Sequence, residues 1–571
     1  NTFTVSYAGM TALSKCHSGQ ALYMLAFDAF TRDRLSMAAK PNIILILVDD
    51  MGFADLGITG SEINTPNLDA LANNGVLLSA MYNCARCCPT RASLLTGLYP
   101  HNAGIGHMGV DLGTRAYQGF LRNDSVTIAE VLRASGYRTL MSGKWHVGGD
   151  FGARAYDDWR IGDVDHPGPR QRGFDRFYGS FDGATHFFSP HYMIEDDNRI
   201  DVSPHDFYYT DAITDKAIGM MEQAVSDDDP FFLYLAHTAP HWPLHAHEED
   251  IARYDGVYAK GWDATRTDRH EAMNSRGLFQ SNWDISPRDA QVSAWKDVKL
   301  KDWEASKMAV YAAMVDRMDQ SIGRVVSTLK RLGQFDDTLI LFLSDNGGCA
   351  EFMAEDGWAQ SYPDYTNDGR KITKGNIENL RPGDALTFQS YDRPWANASN
   401  APFRLYKHYV HEGGISTPLI AHWPRRLKKV HISHNASHVV DIMPTIMQAS
   451  GSNYLTELDG HEIQPFQGES LLELLEGKDW QREQPIFWEH EGNSAIRLGQ
   501  FKLVRQFDQN WELYDMETDR TELHNLIGTN TPLEKELLKQ YQAWADRSGV
   551  LDWNRLLPNL LRAWNMETVD G

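Results

Sequence analysis

Five short apolar runs, four of them cut off by residues that carry chemistry, limit this chain more than any other feature. They are Asn42–Val48, 139–141, Phe231–Ala236, 338–343 and 417–421, rich in Ile, Leu, Val and Phe. Their apolar character is continuous, not alternating. Strands of that kind are buried on both faces, as in a parallel sheet covered by helices. Amphipathic stretches at 125–135 and 307–332 lie between them, with apolar residues at helical spacing. Alternating strand and helix predict a doubly wound α/β domain: a large, mostly parallel sheet sandwiched by helices. The purest runs, 43–48 and Phe231–Ala236, have six residues each, against about 20 needed to cross a bilayer. No membrane span is expected.

At 571 residues the chain has length for about three or four domains at roughly 100–200 residues each. The pattern divides it differently. After Ser450 the composition shifts. Residues 484–515 alternate short β-like runs with turn residues, the mark of an antiparallel hairpin or meander, and 532–544 reads as one amphipathic helix. The expected organisation is an N-terminal extension (1–39), a catalytic α/β domain (40–450) and a smaller C-terminal α+β subdomain with a tail (451–571). Within the extension, 21–39 has an amphipathic helical pattern. Plain packing on the core is favoured for it, and an oligomer formed through 1–39 stays open. The chain begins at Asn1 and shows no cationic segment followed by an apolar one, which is compatible with a signal peptide already removed. Asn-x-Ser triplets at Asn123, Asn397 and Asn435 fit the same route. A periplasmic or secreted protein is expected, with the cytoplasm still open.

Charge and cysteine count exclude several classes. Asp and Glu number 77 against 54 Lys and Arg, a net of −23. Nucleic-acid binding rests on a basic surface that neutralises phosphates, so no nucleic-acid partner is expected. Five cysteines, at 16, 84, 87, 88 and 349, are too few for a disulfide scaffold. Three crowd into Cys84-Ala-Arg-Cys-Cys88, but no second ligand pair follows at the spacing of a zinc knuckle.

The strand ends carry the chemistry. The first run ends in Asp49-Asp50, the second in Gly143-Lys144-Trp145-His146, the third leads to His237-Thr-Ala-Pro-His241, and the fourth ends in Ser344-Asp345-Asn346-Gly347-Gly348. Open α/β sheets bind ligands at the carboxyl ends of their strands. Any one of these segments alone reads as a helix cap or a turn; four at one sheet edge do not. Asp49, Asp50, Asp345 and Asn346 form an all-oxygen set suited to a hard cation, Ca²⁺ with Mg²⁺ open. Lys144, His146, His241 and the later Lys407 add donors, so the edge is equipped to hold a tetrahedral oxyanion.

The segment Cys87-Cys-Pro-Thr-Arg-Ala-Ser-Leu-Leu-Thr-Gly97 is the most specific signal. Pro89 suits a first helical turn. Cys87 is expected just before that helix, where the dipole favours anions and lowers a thiol's pKa. Cys-x-Pro-x-Arg followed by x-x-x-x-Thr-Gly resembles the sulfatase signature, within the alkaline phosphatase superfamily, closest to bacterial arylsulfatases. The other blocks stand in that family's order: Asp49-Asp50, Gly143-Lys144-x-His146, Ala239-Pro-His241-Trp-Pro, Asp345-Asn346-Gly-Gly and Lys407-x-x-x-x-Glu412-Gly-Gly. Trp511-Glu-Leu-Tyr-Asp515 and Glu522-x-x-Asn525-Leu resemble its second domain. The likeness runs from about residue 41 to about 544.

The resemblance implies an alkaline phosphatase-like fold and a sulfuric ester hydrolase acting on an aryl or carbohydrate sulfate. It implies that a formylglycine-generating or sulfatase-maturating enzyme oxidises Cys87 to formylglycine, whose hydrate attacks sulfur with one hydroxyl and releases sulfate with the other. Asp49, Asp50, Asp345 and Asn346 are then the metal ligands, and Arg91, one helical turn after Cys87, supports the diol and the carboxylates. His146 becomes the base. Lys144, Lys407 and His241 clamp the sulfate, with His241 or Lys407 protonating the leaving oxygen. His237, His245 and His408 are read as supporting residues. Read from the residues alone, Trp242, the Trp262 region and Trp488-Glu-His490 offer aromatic and polar surface of the kind that stacks sugars, although scattered aromatics more often fill cores; His490 reaching the site from the C-terminal subdomain stays open. Two departures stand out: Thr90 where Ser is commonest, and Leu98 where Arg is frequent. A phosphonate monoester or phosphodiester hydrolase on the same scaffold is the alternative. A non-catalytic glycan-binding relative would require lost ligands, and every expected position is occupied.

Overall fold

The computed structural model describes residues 40–148, 162, 167–203, 206–279 and 283–563. The N-terminal extension, with the helix expected at 21–39 and any oligomer contact through it, lies outside the described residues. The central sheet has eleven strands. In chain order they are β1 (Asn42–Val48), β2 (Val76–Tyr82), β3 (Arg138–Lys144), β4 (Arg176–Ser180), β5 (Met193–Glu195), β6 (Asn198–Ile200), β7 (Phe231–Ala236), β8 (Thr338–Ser344), β9 (Ser416–His422), β10 (His431–Ser433) and β11 (Ser437–His438). Their spatial order is β10-β2-β9-β8-β1-β7-β3-β4-β5-β6, with β11 also paired to β2.

β1 lies in the middle, parallel to β7 on one side and β8 on the other. All seven of its residues are buried, as a continuous apolar run demands. Ile44, Ile46 and Val48 enter one core layer, with helix residues such as Ile213 and Met314. Ile43, Leu45 and Leu47 enter the layer on the opposite face, with Leu94, Val131 and Ile446. The period of two sends alternate side chains to opposite faces, so both faces of the strand are clad in helix. The 31-residue helix Lys301–Arg331 covers one face; Cys87–Thr96 and Ile128–Ala134 cover the other. In the latter, Thr127 accepts from the Glu130 amide while Glu130 accepts from the Thr127 amide, a capping box.

The sheet is mixed. β1, β3, β4, β7 and β8 are parallel to their neighbours within that block, but β9, expected among the parallel strands, runs antiparallel between β2 and β8. β2 was not visible in the sequence, because Ser79 interrupts its apolar run. The structure accommodates that hydroxyl against His434 Nδ1 at 2.7 Å.

The C-terminal meander is present as four antiparallel strands, β12 (Ile486–His490), β13 (Asn493–Leu498), β14 (Phe501–Arg505) and β15 (Glu512–Asp515). Helix Thr531–Ser548 packs Leu537, Tyr541 and Trp544 against Phe487, Ile496 and Leu503. Glu412 joins this sheet to the central one: its carboxylate accepts from Lys502 at 2.9 Å, Arg520 at 2.8 Å and Tyr82 at 3.0 Å, all buried. Among the described residues no helix is long and apolar enough to cross a membrane.

Candidate active site

Adjacent strands bring the acids together. Val48 pairs with Ser344 across β1 and β8, and the ladder continues one step as the Asp345 amide donates to Val48 O at 3.0 Å. Asp49-Asp50 and Asp345-Asn346 therefore leave neighbouring strands at the same level, all four buried. Asp50 takes a left-handed turn, φ 65°, which sends its carboxylate toward Asn346; the Asn346 amide donates to Asp50 Oδ1 at 2.7 Å. Gly347 permits the close approach behind them, since a Cβ there would lie 1.8 Å from Gly413 O.

Arg91 is fully buried one turn along the helix from Cys87. Its Nε and one terminal nitrogen donate to Asp345 Oδ2 at 3.1 and 2.8 Å, and the other terminal nitrogen donates to Lys144 O at 3.0 Å. Lys144, at the end of β3, donates to Asp49 Oδ2 and to Gly183 O. Lys407 donates to Asp50 Oδ2 at 3.0 Å and lies 3.3 Å from His241 Nε2. Burial would depress this ammonium, but the Asp50 charge outweighs it and holds Lys407 well above its usual range. Lys407 is thus a buried, ion-paired lysine and not a solvated one.

Burial, then the Asp49 charge, push the Asp345 carboxyl well above the usual carboxylate range. Burial raises Asp49 too, but Lys144, His241 and Arg91 outweigh it and hold Asp49 below that range. Asp49 Oδ1 and Asn346 Oδ1 are buried oxygens with no hydrogen-bond partner. Buried acceptors left unpaired are costly, and two of them facing an all-oxygen set fit a hard cation such as calcium or magnesium.

Cys87 is the first residue of its helix, with Arg86 as the cap, one position further in than the sequence suggested. The cap needs an extended residue, and Arg86 has φ −149° and ψ 149°. Burial raises a thiol's pKa, but hydrogen bonding with Cys88 and the charges of Lys144 and His146 hold Cys87 well below the usual range. The Cys87 and Cys88 sulfurs and one His146 nitrogen lie within 4.8 Å of one another. His146 sits against Gly183, where a Cβ would come within 2.7 Å of the ring. Burial pushes His146 down to about 4, so its imidazole is neutral at physiological pH. Burial likewise lowers His241.

All ten expected site residues therefore converge at one edge. The outlying histidines do not join them. His237 is fully buried with neither ring nitrogen hydrogen-bonded. His245 faces Thr387 O at 2.7 Å, and His408 pairs with Glu491 at 3.0 Å. His490 stacks on His107 instead of reaching the cluster. Trp488 is buried and donates to Asn83 O, and Trp262 is buried among Trp295 and Trp395; neither offers a sugar-stacking surface. Trp242 does flank the site, 4.4 Å from the His241 ring centre.

Three neighbours were missed. Glu351 pairs with Arg86 at 2.9 Å and accepts from the Trp242 indole at 2.8 Å. Tyr362 stands edge-on to Trp242, and Asp182 is pushed up to about 8 by burial. Asp182, Tyr362, His186, His191 and Phe388 line an adjoining cavity. Glu351 follows Asp345-Asn346-Gly-Gly by a few residues, the one signal that marked it; Asp182 and Tyr362 sit in loops whose composition carries none.

Residues 41–452 match the family model described as Sulfatase, and residues 403–545 match the one described as N-sulphoglucosamine sulphohydrolase, C-terminal. An uncharacterized sulfatase of Schizosaccharomyces pombe is 33% identical over 554 residues, covering 90% of this chain and 94% of the relative. An arylsulfatase of Klebsiella aerogenes is 32% identical over 461 residues, covering 77% and 93%. The crystal structure of Ps i-CgsB is similar at 25% identity and a TM-score of 0.64, covering 93% of this chain and 99% of that one. That protein is also solved in complex with k-i-k-neocarrahexaose.

Proposed function

The chain belongs to the sulfatase family, enzymes acting on sulfate esters, and on that premise we propose that it cleaves an aryl or carbohydrate sulfate monoester through a formylglycine made from Cys87 beside a divalent cation. The observation that carries this reading is the place of Cys87: the first turn of a helix, beside His146 and close enough to Asp49 and Asp345 for its charge to act on both. The saccharide bound by Ps i-CgsB supports the carbohydrate side.

A hydrated formylglycine supplies one hydroxyl that attacks sulfur and a second whose deprotonation releases sulfate, and a cation held by Asp49, Asp50, Asp345 and Asn346 supplies polarisation of the sulfate oxygens. The remaining work falls to side chains of this chain. Lys144, which donates to Asp49, and Lys407, which donates to Asp50, hold the anion's oxygens by charge-assisted hydrogen bonds. Neutral His146 takes up a proton at the nucleophile. His241 Nδ1 lies 2.7 Å from Trp242 O, which fixes the proton on Nδ1 and leaves Nε2 as an acceptor facing the Lys407 ammonium at 3.3 Å, so the proton passed to the leaving oxygen comes from Lys407. Arg91 holds Asp345 and the end of β3 in register. The cationic groups are local, so the net charge of −23 describes the shell and not the pocket.

Paired substrates test this directly. Turnover of an aryl sulfate should exceed turnover of the matching aryl phosphate diester, and chelation should abolish both. Preference for the diester would move the chain to the phosphodiester alternative.

A further inference from the structure

A second cluster of ligand-type side chains lies outside the acid set. The turn between β12 and β13 is the pair Glu491-Gly492, both left-handed at φ 49° and 80°, which suits a two-residue hairpin. It presents His490 and Glu491 to His107, in the loop after the short helix Pro100–Ala103. The His107 and His490 rings stack with centroids 5.5 Å apart and planes 8° from parallel. His107 Nε2 lies 2.7 Å from Glu491 Oε1. One ligand atom from each of the three residues lies within 4.8 Å of the others.

Two further observations point to a ligand. His490 is completely buried, yet neither of its ring nitrogens makes a hydrogen bond, a state that buried polar groups rarely hold without a partner. The carboxylate beside it is also fixed from behind. Asn493 Nδ2 donates to His408 Nε2 at 3.2 Å, so His408 Nδ1 carries the proton and donates to Glu491 Oε2 at 3.0 Å. Metal sites orient their ligands through outer hydrogen bonds of this kind.

We propose that His107, His490 and Glu491 form a second cation site, selective for a zinc-type transition metal. Two imidazoles and one carboxylate suit Zn²⁺ and its d-block neighbours, whereas the all-oxygen set beside Cys87 suits calcium or magnesium. The proposal does not depend on the reaction assigned above. The metal would tie the C-terminal hairpin to the loop that carries His107, while His408, paired with Glu491, is held by its own amide to Ala85 O at 2.8 Å.

The test uses the full-length protein, stripped with chelator, saturated with Ca²⁺ and then titrated with Zn²⁺ alone, with zinc per chain read by elemental mass spectrometry after free metal is removed. Wild type should keep one zinc. His490→Gln and His107→Gln should bind it about ten-fold more weakly or worse, while Asp49→Asn keeps it. Co²⁺ offers a second readout that needs no variant: ligand-field bands in the visible range without a thiolate charge-transfer band. Absence of zinc from wild type, equal zinc in His490→Gln, or a thiolate band marking Cys87 and Cys88 as the ligands would each overturn the site.

Discussion

Arg91 grips Asp345 with two nitrogens, at 3.1 and 2.8 Å, in a pocket closed to solvent. The same guanidinium lies 3.4 Å from Asp49. One buried cation therefore sits between two of the carboxylates that face the cation site, from the helix that begins with Cys87. Removing one member of a buried pair leaves the other uncompensated. Arg91→Ala should lose about 3–5 kcal/mol in denaturant unfolding. Arg91→Lys should recover part of that stability and less of the activity, since an ammonium cannot reproduce the two-nitrogen grip. Full activity in Arg91→Ala would remove this residue from the site.

Lys407 separates a site role from a surface role. Its ammonium is buried against Asp50 and next to His241. Lys407→Ala should cut kcat/KM for an aryl sulfate by on the order of 10²–10³, the usual cost of one preorganised anion donor. Steady-state kinetics with a thermal melt as control checks this; a change below about three-fold, worth less than about 0.7 kcal/mol, would place Lys407 outside the reaction.

His237 gives a pH signature. Burial pushes it down to about 3, below the value near 6.5 of an exposed imidazole. The unfolded chain then binds a proton that the folded chain refuses, so stability at neutral pH is lost as pH falls from about 6.5 toward 3. His237→Leu should flatten that part of the curve and cost little at neutral pH. Denaturation midpoints across the window, wild type against variant, decide it; an unchanged slope would show that other groups carry the dependence.

Glu412 should matter through folding and not through chemistry. It accepts from Lys502, Arg520 and Tyr82 and is far into the seam between the two sheets. Glu412→Ala strands two cations and should cost about 3–5 kcal/mol. Soluble protein that does form should retain its KM. A raised KM at unchanged stability would instead assign Glu412 to the substrate.

Much of this site was legible in the sequence, and for a definite reason. A strand buried on both faces must be continuously apolar, so the point where Asn42–Val48 breaks into Asp49-Asp50 marks the sheet edge without ambiguity. Phe231–Ala236 matched its expected limits residue for residue. Direction was not legible: the β9 run looks like its parallel neighbours, because burial shapes composition and pairing sense does not. β2 was hidden by Ser79, whose partner His434 is over 350 residues away. The aromatic surfaces misled for a related reason. Trp488 and Trp262 fill cores, and nothing local distinguishes a tryptophan that meets Tyr82 edge-on from one that lines a pocket. Asp182 and Glu351 are defined by what tertiary structure places beside them.

The nucleophile decides the rest. Mass spectrometry of the peptide bearing Cys87, from active protein purified from its native source, should show a loss of about 18 Da relative to cysteine, the change for formylglycine. Fully active protein with an unmodified Cys87 thiol would contradict the proposed chemistry.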